Sequence, residues 1–191
     1  MVEFLERGRL ELALDLRGAE IGIDPLAEFR LLGMDYSGLD MSFGRGALIV
    51  HGGSVTDLNA EGFQFDRASH LMKTAMRDCS FAGSRGRFGA SDVTFLRCDF
   101  SRSEFRGGFN DYGFTRCTFQ NCQLTDAVWS NGYFKACRFL NCSLVGARFH
   151  KALVSGVRLS GVREWQSLLV DCDVRSLYLN EVQIVHGNRA V

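Results

Sequence analysis

One proline stands in 191 residues. So few interruptions suit a backbone committed to ladder hydrogen bonds, because each proline removes a donor. No stretch approaches the ~20 apolar residues of a membrane-spanning helix. The N-terminus carries Glu3, Glu6 and Glu11, with no basic segment leading into an apolar run. A membrane span and a targeting segment are therefore not expected. Phosphate-binding signatures are also missing: Gly52-Gly53-Ser54 is followed by neither a lysine nor a helix start, and reads as a corner. His51, His70, His150 and His186 show no ligand spacing and no common neighbourhood in sequence. No set of nucleophile, base and oxyanion donor can be placed, so the expectation is a chain that is not an enzyme and has neither cofactor nor metal.

What is present is a repeat. Nine of the 16 phenylalanines fall between residues 95 and 149, all on one five-residue track. It runs Phe95, Phe100, Phe105, slips by one to Phe109, Phe114 and Phe119, and continues through Leu124, Trp129, Phe134, Phe139, Leu144 and Phe149. Val154, Leu159, Leu169, Val174, Leu179 and Ile184 extend it. All seven cysteines stand two residues before a track position, and Gly107, Ala127, Gly132, Ala147 and Ala152 fill the same column. Residues two apart share one face of extended backbone. A period of five fits neither a helix nor a long strand. It predicts a short extended piece with one large and one small residue inward, then a corner, wound into a solenoid.

The segments Cys117-Thr118-Phe119-Gln120-Asn121-Cys122-Gln123-Leu124 and Cys137-Arg138-Phe139-Leu140-Asn141-Cys142-Ser143-Leu144 resemble the repeat unit of the pentapeptide-repeat proteins. Ser37-Gly38-Leu39-Asp40-Met41-Ser42 is similar to the opening of many such domains. The resemblance implies an all-β solenoid: a right-handed, four-sided parallel β-helix of pentapeptide repeats, with about twenty residues per coil. The family's Asp or Asn before the central residue is absent at Thr118, Tyr133, Arg138 and Arg148.

One structural domain is expected, long enough for a continuous core. Residues 95–184 form its regular coils and 185–191 a C-terminal tail. Residues 36–94 are irregular coils, where the spacing stretches to seven (Leu48 to Val55, Phe81 to Phe88 to Phe95) and suggests bulges or loops at corners. Residues 1–35 read as an N-terminal cap, which an open solenoid end requires. Leu10 to Leu16 alternates like a strand. Asp24-Pro25 starts a short helix with Leu26, Phe29 and Leu32 on one face and Gly33 closing it.

The cysteines read as core filler. Cys117 should lie under Cys137 and Cys122 under Cys142, but the repeat itself explains that spacing, and seven thiols on inward positions fit a reducing compartment. Cytoplasmic localisation is expected. The five-residue count places Glu164 on the core track, where a carboxylate is costly. Trp165 is the better core residue, so a bulge over Val162–Gln166 is expected to turn Glu164 outward. Trp129 reads as a gap filler in the core.

Charge points outward. Residues 1–70 carry a net −6 and residues 71–191 a net +6, cancelling to zero. The bases of the regular coils, among them Arg97, Arg116, Lys135, Arg138, Arg148 and Arg158, occupy outward positions, and Arg138 should stack on Arg158. The candidate partner-binding residues are Arg138, Arg148, Arg158 and Glu164. The family's best-known function is DNA mimicry by an acidic dimeric rod that binds type II topoisomerases (gyrase) and protects them from quinolones. This chain lacks that negative surface, and Val182 to Val185 alternates like a last strand where those proteins have a dimerisation helix. Nucleic-acid binding by the basic coils is a third reading, weakened by aromatics that the track buries. The expected function is a non-catalytic scaffold whose faces bind a protein partner, with self-association open.

Overall fold

The computed structural model of the chain describes residues 17–18, 20–21, 29–32, 35–66, 69–87, 89–106, 108–162 and 165–190. Their strands stack in parallel, each coil directly on the next, with one antiparallel pair at the C-terminal end. The resulting β-solenoid has four sides. The register fixes coil length. Asp40 pairs with Asn59, Asn59 with Ser80, Ser80 with Asp99 and Asp99 with Thr118, steps of 19, 21, 19 and 19 residues. From there Thr118 pairs with Arg138 and Arg138 with Arg158, steps of 20. Seven coil steps thus separate Met41 from Leu179.

Each side carries one of the expected inward columns. On the first side Phe81, Phe100, Phe119, Phe139 and Leu159 stack, with Cys79, Cys98, Cys117, Cys137 and Val157 as the smaller companions. The second side carries Phe65, Gly86, Phe105 and Leu124. On the third, Leu71, Ala90, Phe109, Trp129 and Phe149 follow one another. The fourth holds Val55, Met76, Phe95, Phe114, Phe134 and Val154. In-register stacking puts identical rings face to face: Phe100 on Phe119 at 4.9 Å and Phe114 on Phe134 at 5.2 Å between centroids. Rings of neighbouring sides meet edge to face, as Phe95 and Phe100 do at 5.4 Å. Both are arrangements that the ring quadrupole favours.

The slip in the phenylalanine track has a structural origin. Between the second and third sides, Phe105 to Phe109 is a step of four residues, whereas Leu124 to Trp129 in the next coil takes five. The seven-residue gaps of the earlier coils are of another kind. Gly86 and Ala90 occupy track positions between Phe81 and Phe95, so the ladder runs on behind residues too small to announce it.

Three expectations need adjustment. The helix over 24–33 does not form at Phe29–Leu32, a strand paired in parallel with Leu48–His51. The open edge of Leu48–His51 presents backbone N–H and C=O groups that a strand satisfies and a helix cannot. Residues 24–28 and 33, like the Leu10–Leu16 strand, lie outside the described residues. At the expected bulge, Trp165–Leu168 forms one turn of 3-10 helix. Trp165 packs against the core there only partly buried, and Leu168 and Leu169 are the buried residues. At the far end the chain turns at Asn180 and Glu181, and Val182–Ala190 returns antiparallel to Asp173–Leu179. The last strand therefore runs past residue 184 to Ala190, within the segment read as a tail.

Candidate interaction surface

The core accounts for the reactive side chains first. All seven cysteines are free and buried. Each thiol donates to backbone carbonyls, Cys122 Sγ to the Phe100 oxygen at 2.8 Å and Cys142 Sγ to that of Phe119 at 3.2 Å. Along the first side the thiols stand coil over coil. A hydrogen bond to Cys117, together with burial, pushes the Cys98 thiol up to about 12. Cys117 is raised to about 12 in the same way by Cys137 and burial. In the second column Cys142, bonded to Cys122 and buried, is also pushed up. Cys98, Cys117 and Cys142, this hard to ionise, are poor nucleophiles and poor metal ligands. Among the described residues no group of His, Cys, Asp and Glu is arranged to hold a metal.

The outer surface divides by side. A groove of about 1230 Å³ runs along the second side, lined by Gln64, Asp66, Arg85, Arg87, Glu104 and Gln123 among others. Acids and bases are mixed in it, and among the described residues its wall contains no histidine or cysteine. His51 and His70 come onto neighbouring coils of the third side, a proximity their sequence spacing conceals. His150, several coils further on, lies 3.5 Å from Asp171. Among the described residues the exposed large apolar ones are Phe43, Val128, Val145 and Val182, with Phe43 in an early coil and Val182 on the antiparallel return strand.

Of the four candidate residues, the fold brings two together. Arg138 and Arg158 are register partners on the first side. Arg148 pairs with Val128 on the third side, which faces the opposite way. Glu164 lies outside the described residues. Arg158 is the more constrained of the stacked pair: its guanidinium donates to Glu181 at 2.7 Å and lies 4.4 Å above the Tyr178 ring. Lys135 lies 4.7 Å above the Tyr133 ring in the same way. These outward tyrosines are surface aromatics that attention to the buried track passes over, although Tyr133 directly precedes Phe134 and so must point out.

Ion pairs link coils at two corners. Arg97 holds Asp78 in the previous coil with two bonds, Nε to Oδ1 at 2.6 Å and Nη2 to Oδ2 at 2.5 Å. The Arg97 hydrogen bond keeps the Asp78 carboxyl below its ordinary value of 3.8. Arg102 reaches Glu61, two coils back, at 3.3 Å.

These stacked five-residue sides, with large and small inward columns, define a pentapeptide-repeat solenoid. Residues 112–188 match the family model described as pentapeptide repeat region, and the coils before them continue the same ladder. Among solved structures, a trypsin-treated form of QnrB1, a plasmid-mediated fluoroquinolone resistance protein, is similar in fold. Its TM-score is 0.54 at 16% identity, over 89% of this chain and 80% of that one. Full-length QnrB1 aligns at TM-score 0.48 and 12% identity, over 80% of this chain and 87% of that one. HetL, a pentapeptide repeat protein involved in heterocyst differentiation regulation from the cyanobacterium Nostoc sp. strain PCC 7120, aligns at TM-score 0.34 and 11% identity. That match covers 91% of this chain and 92% of HetL. No curated protein sequence matches the chain.

Proposed function

We propose that the protein is a non-catalytic scaffold that binds a protein partner through the outer sides of its solenoid. The carrying observation is the division of labour along the repeat. The thiols and most of the described aromatics are consumed by the core, while charged residues from separate segments are aligned coil over coil on the outside. Extended surfaces of stacked repeats are the usual binding devices of solenoids. Seven free buried thiols fit a reducing, cytoplasmic setting. Affinity capture with the full chain as bait, at low and high salt, tests this reading. It expects saturable retention of a defined protein, and retention of no protein above background counts against it.

A second reading takes its support from the fold shared with QnrB1, whose name records fluoroquinolone resistance. In that reading the partner is a type II topoisomerase. A rise in the fluoroquinolone concentration tolerated by cells expressing the chain would favour it. The basic character of residues 71–191 is an obstacle to DNA mimicry.

A further inference from the structure

We infer that the corner between the fourth and first sides is a docking ridge for an acidic α-helix of a partner protein, laid along the solenoid axis. The inference rests on the scaffold reading and names its surface. Arg97 and Arg116 occupy this corner in successive coils, the Arg97 amide donating to the Thr115 carbonyl at 2.9 Å. In the next coil Lys135 stands just before the corner, its carbonyl accepting from the Arg116 amide at 2.9 Å, and Arg138 stands just after it. Arg158 follows one coil further, in register with Arg138. Five cations from four consecutive coils thus flank one corner, Lys135 on the fourth side and Arg138 and Arg158 on the first.

Two features separate this corner from an ordinary solvated face. The first is pairing. The outer members are neutralised within the chain, Arg97 by Asp78 and Arg158 by Glu181. Arg116, Lys135 and Arg138, between them, are exposed and have no carboxylate partner among the described residues. The second is backbone conformation. Arg97 and Arg116 have φ of 54° and 55°. The same corner position is Gly38, Asp57 and Asp78 in the coils before them and Ala136 and Gly156 in the coils after, all at positive φ. A side chain in this left-handed region costs roughly 1 kcal/mol per residue. The turn accepts glycine, alanine and aspartate as well as arginine, so forming it gives no reason for arginine.

Spacing selects the partner. Successive coils rise by about 4.8 Å. In an α-helix, residues three and four apart are about 4.5 Å and 6 Å apart along the axis, so carboxylates at alternating three- and four-residue intervals keep pace with the coils. Phosphates of duplex DNA recur every ~3.4 Å of axis per strand and do not. The two tyrosines beside the ridge, Tyr133 and Tyr178, carry Lys135 and Arg158 over their faces, which leaves those faces poorly open to stacked bases.

The test is fluorescence anisotropy with the full chain and a labelled, lactam-stapled helical peptide of about four turns, carrying glutamates at three- and four-residue intervals. The expected result is saturable binding, weakened at least about ten-fold by Arg116→Glu/Arg138→Glu and, to a lesser degree, by the milder Arg116→Gln/Arg138→Gln. Arg85→Glu/Arg87→Glu, on the second side, should leave it within about two-fold. Circular dichroism establishes that each variant is folded. Equal weakening by both charge reversals overturns the ridge. So does equal binding of a proline-broken peptide of the same composition, or tighter binding of a single-stranded oligonucleotide of equal charge. If the peptide fails to bind while a protein is still captured on another side, the ridge falls and the scaffold reading stands. If nothing is captured, both fall.

Discussion

Phe119 and Phe139 lie ring on ring, their centroids 4.5 Å apart and their planes 1° from parallel. They are 20 residues apart in sequence and direct partners in the ladder. Phe139 is also in edge contact with Phe134 at 5.7 Å, so it joins one side of the solenoid to the next. Replacing it with alanine leaves a hole in the middle of the stack that neighbouring coils cannot close without breaking their ladders. Phe139→Ala should cost about 3–5 kcal/mol, and Phe139→Leu, which keeps most of the volume, distinctly less. The midpoint of urea unfolding measures both. Equal midpoints for Phe139→Ala and the parent chain would contradict the stacked-core account.

How much of this was legible beforehand follows from what a five-residue count can see. The Phe and Cys columns were legible because each coil repeats the same residue types at the same offset. Gly86 and Ala90 were not, because a track position filled by a small residue looks like a gap. The strand at Phe29–Leu32 was masked by apolar residues three apart, and its partner Leu48–His51 is 19 residues away. The candidate surface was half legible. Arg138 and Arg158 share one repeat offset, which pairs them. Arg116 and Lys135 sit at other offsets, and only the folding of the corner sets them beside that pair.

Gly86 stands between Phe65 and Phe105 on the second side, at φ 119°. That conformation is essentially closed to other residues, and a Cβ here would lie 2.2 Å from the Phe65 carbonyl oxygen. The neighbour is backbone and cannot swing aside. Gly86→Ala should lower stability by several kcal/mol, through strain and overpacking together. Gly108, with no atom within 4 Å of an added Cβ, provides the contrast. Thermal unfolding of Gly86→Ala should show a large loss and that of Gly108→Ala a small one.

The thiol columns predict chemistry as well as stability. Cys98 and Cys117 are buried and raised to about 12, so at pH 8 almost none of either is thiolate. Iodoacetamide should leave the native chain essentially unlabelled and modify all seven cysteines once guanidinium unfolds it. Intact-mass spectrometry counts the adducts. Rapid native labelling at any of the seven would place that thiol outside the core.

Arg97 and Asp78 tie two coils together at the surface, and the tie depends on pH. The folded chain releases the Asp78 proton more readily than the unfolded chain, because Arg97 bonds to the carboxylate. The contribution is therefore complete above the ordinary value of 3.8 and is lost as pH falls through the lowered folded value. Both groups are solvent-exposed, so the effect is small. Asp78→Asn should unfold at a slightly lower temperature than the parent near pH 7, with the difference shrinking as the pH drops below about 4. A difference that grew with acid would reverse the assigned direction.

Tyr112 is a large residue in a small-residue column. Its ring lies against Phe114 and Phe134, at 5.5 and 5.3 Å, and against the backbone of Gly132 in the next coil. The hydroxyl is buried without a hydrogen-bond partner among the described residues, and burial pushes its ionisation well above the ordinary tyrosine range. A buried, unpaired hydroxyl costs about 1–3 kcal/mol, while the ring it terminates contributes packing. The two parts are separable. Tyr112→Phe keeps the ring, removes the orphan oxygen, and should raise the unfolding temperature by a few degrees. Tyr112→Ala removes both and should lose about 3–5 kcal/mol, because Gly132 beneath it offers no side chain to fill the space. Scanning calorimetry on the two variants gives opposite signs if the hydroxyl is unpaired. A lower unfolding temperature for Tyr112→Phe would mean that the hydroxyl has found a partner, a buried water being the simplest.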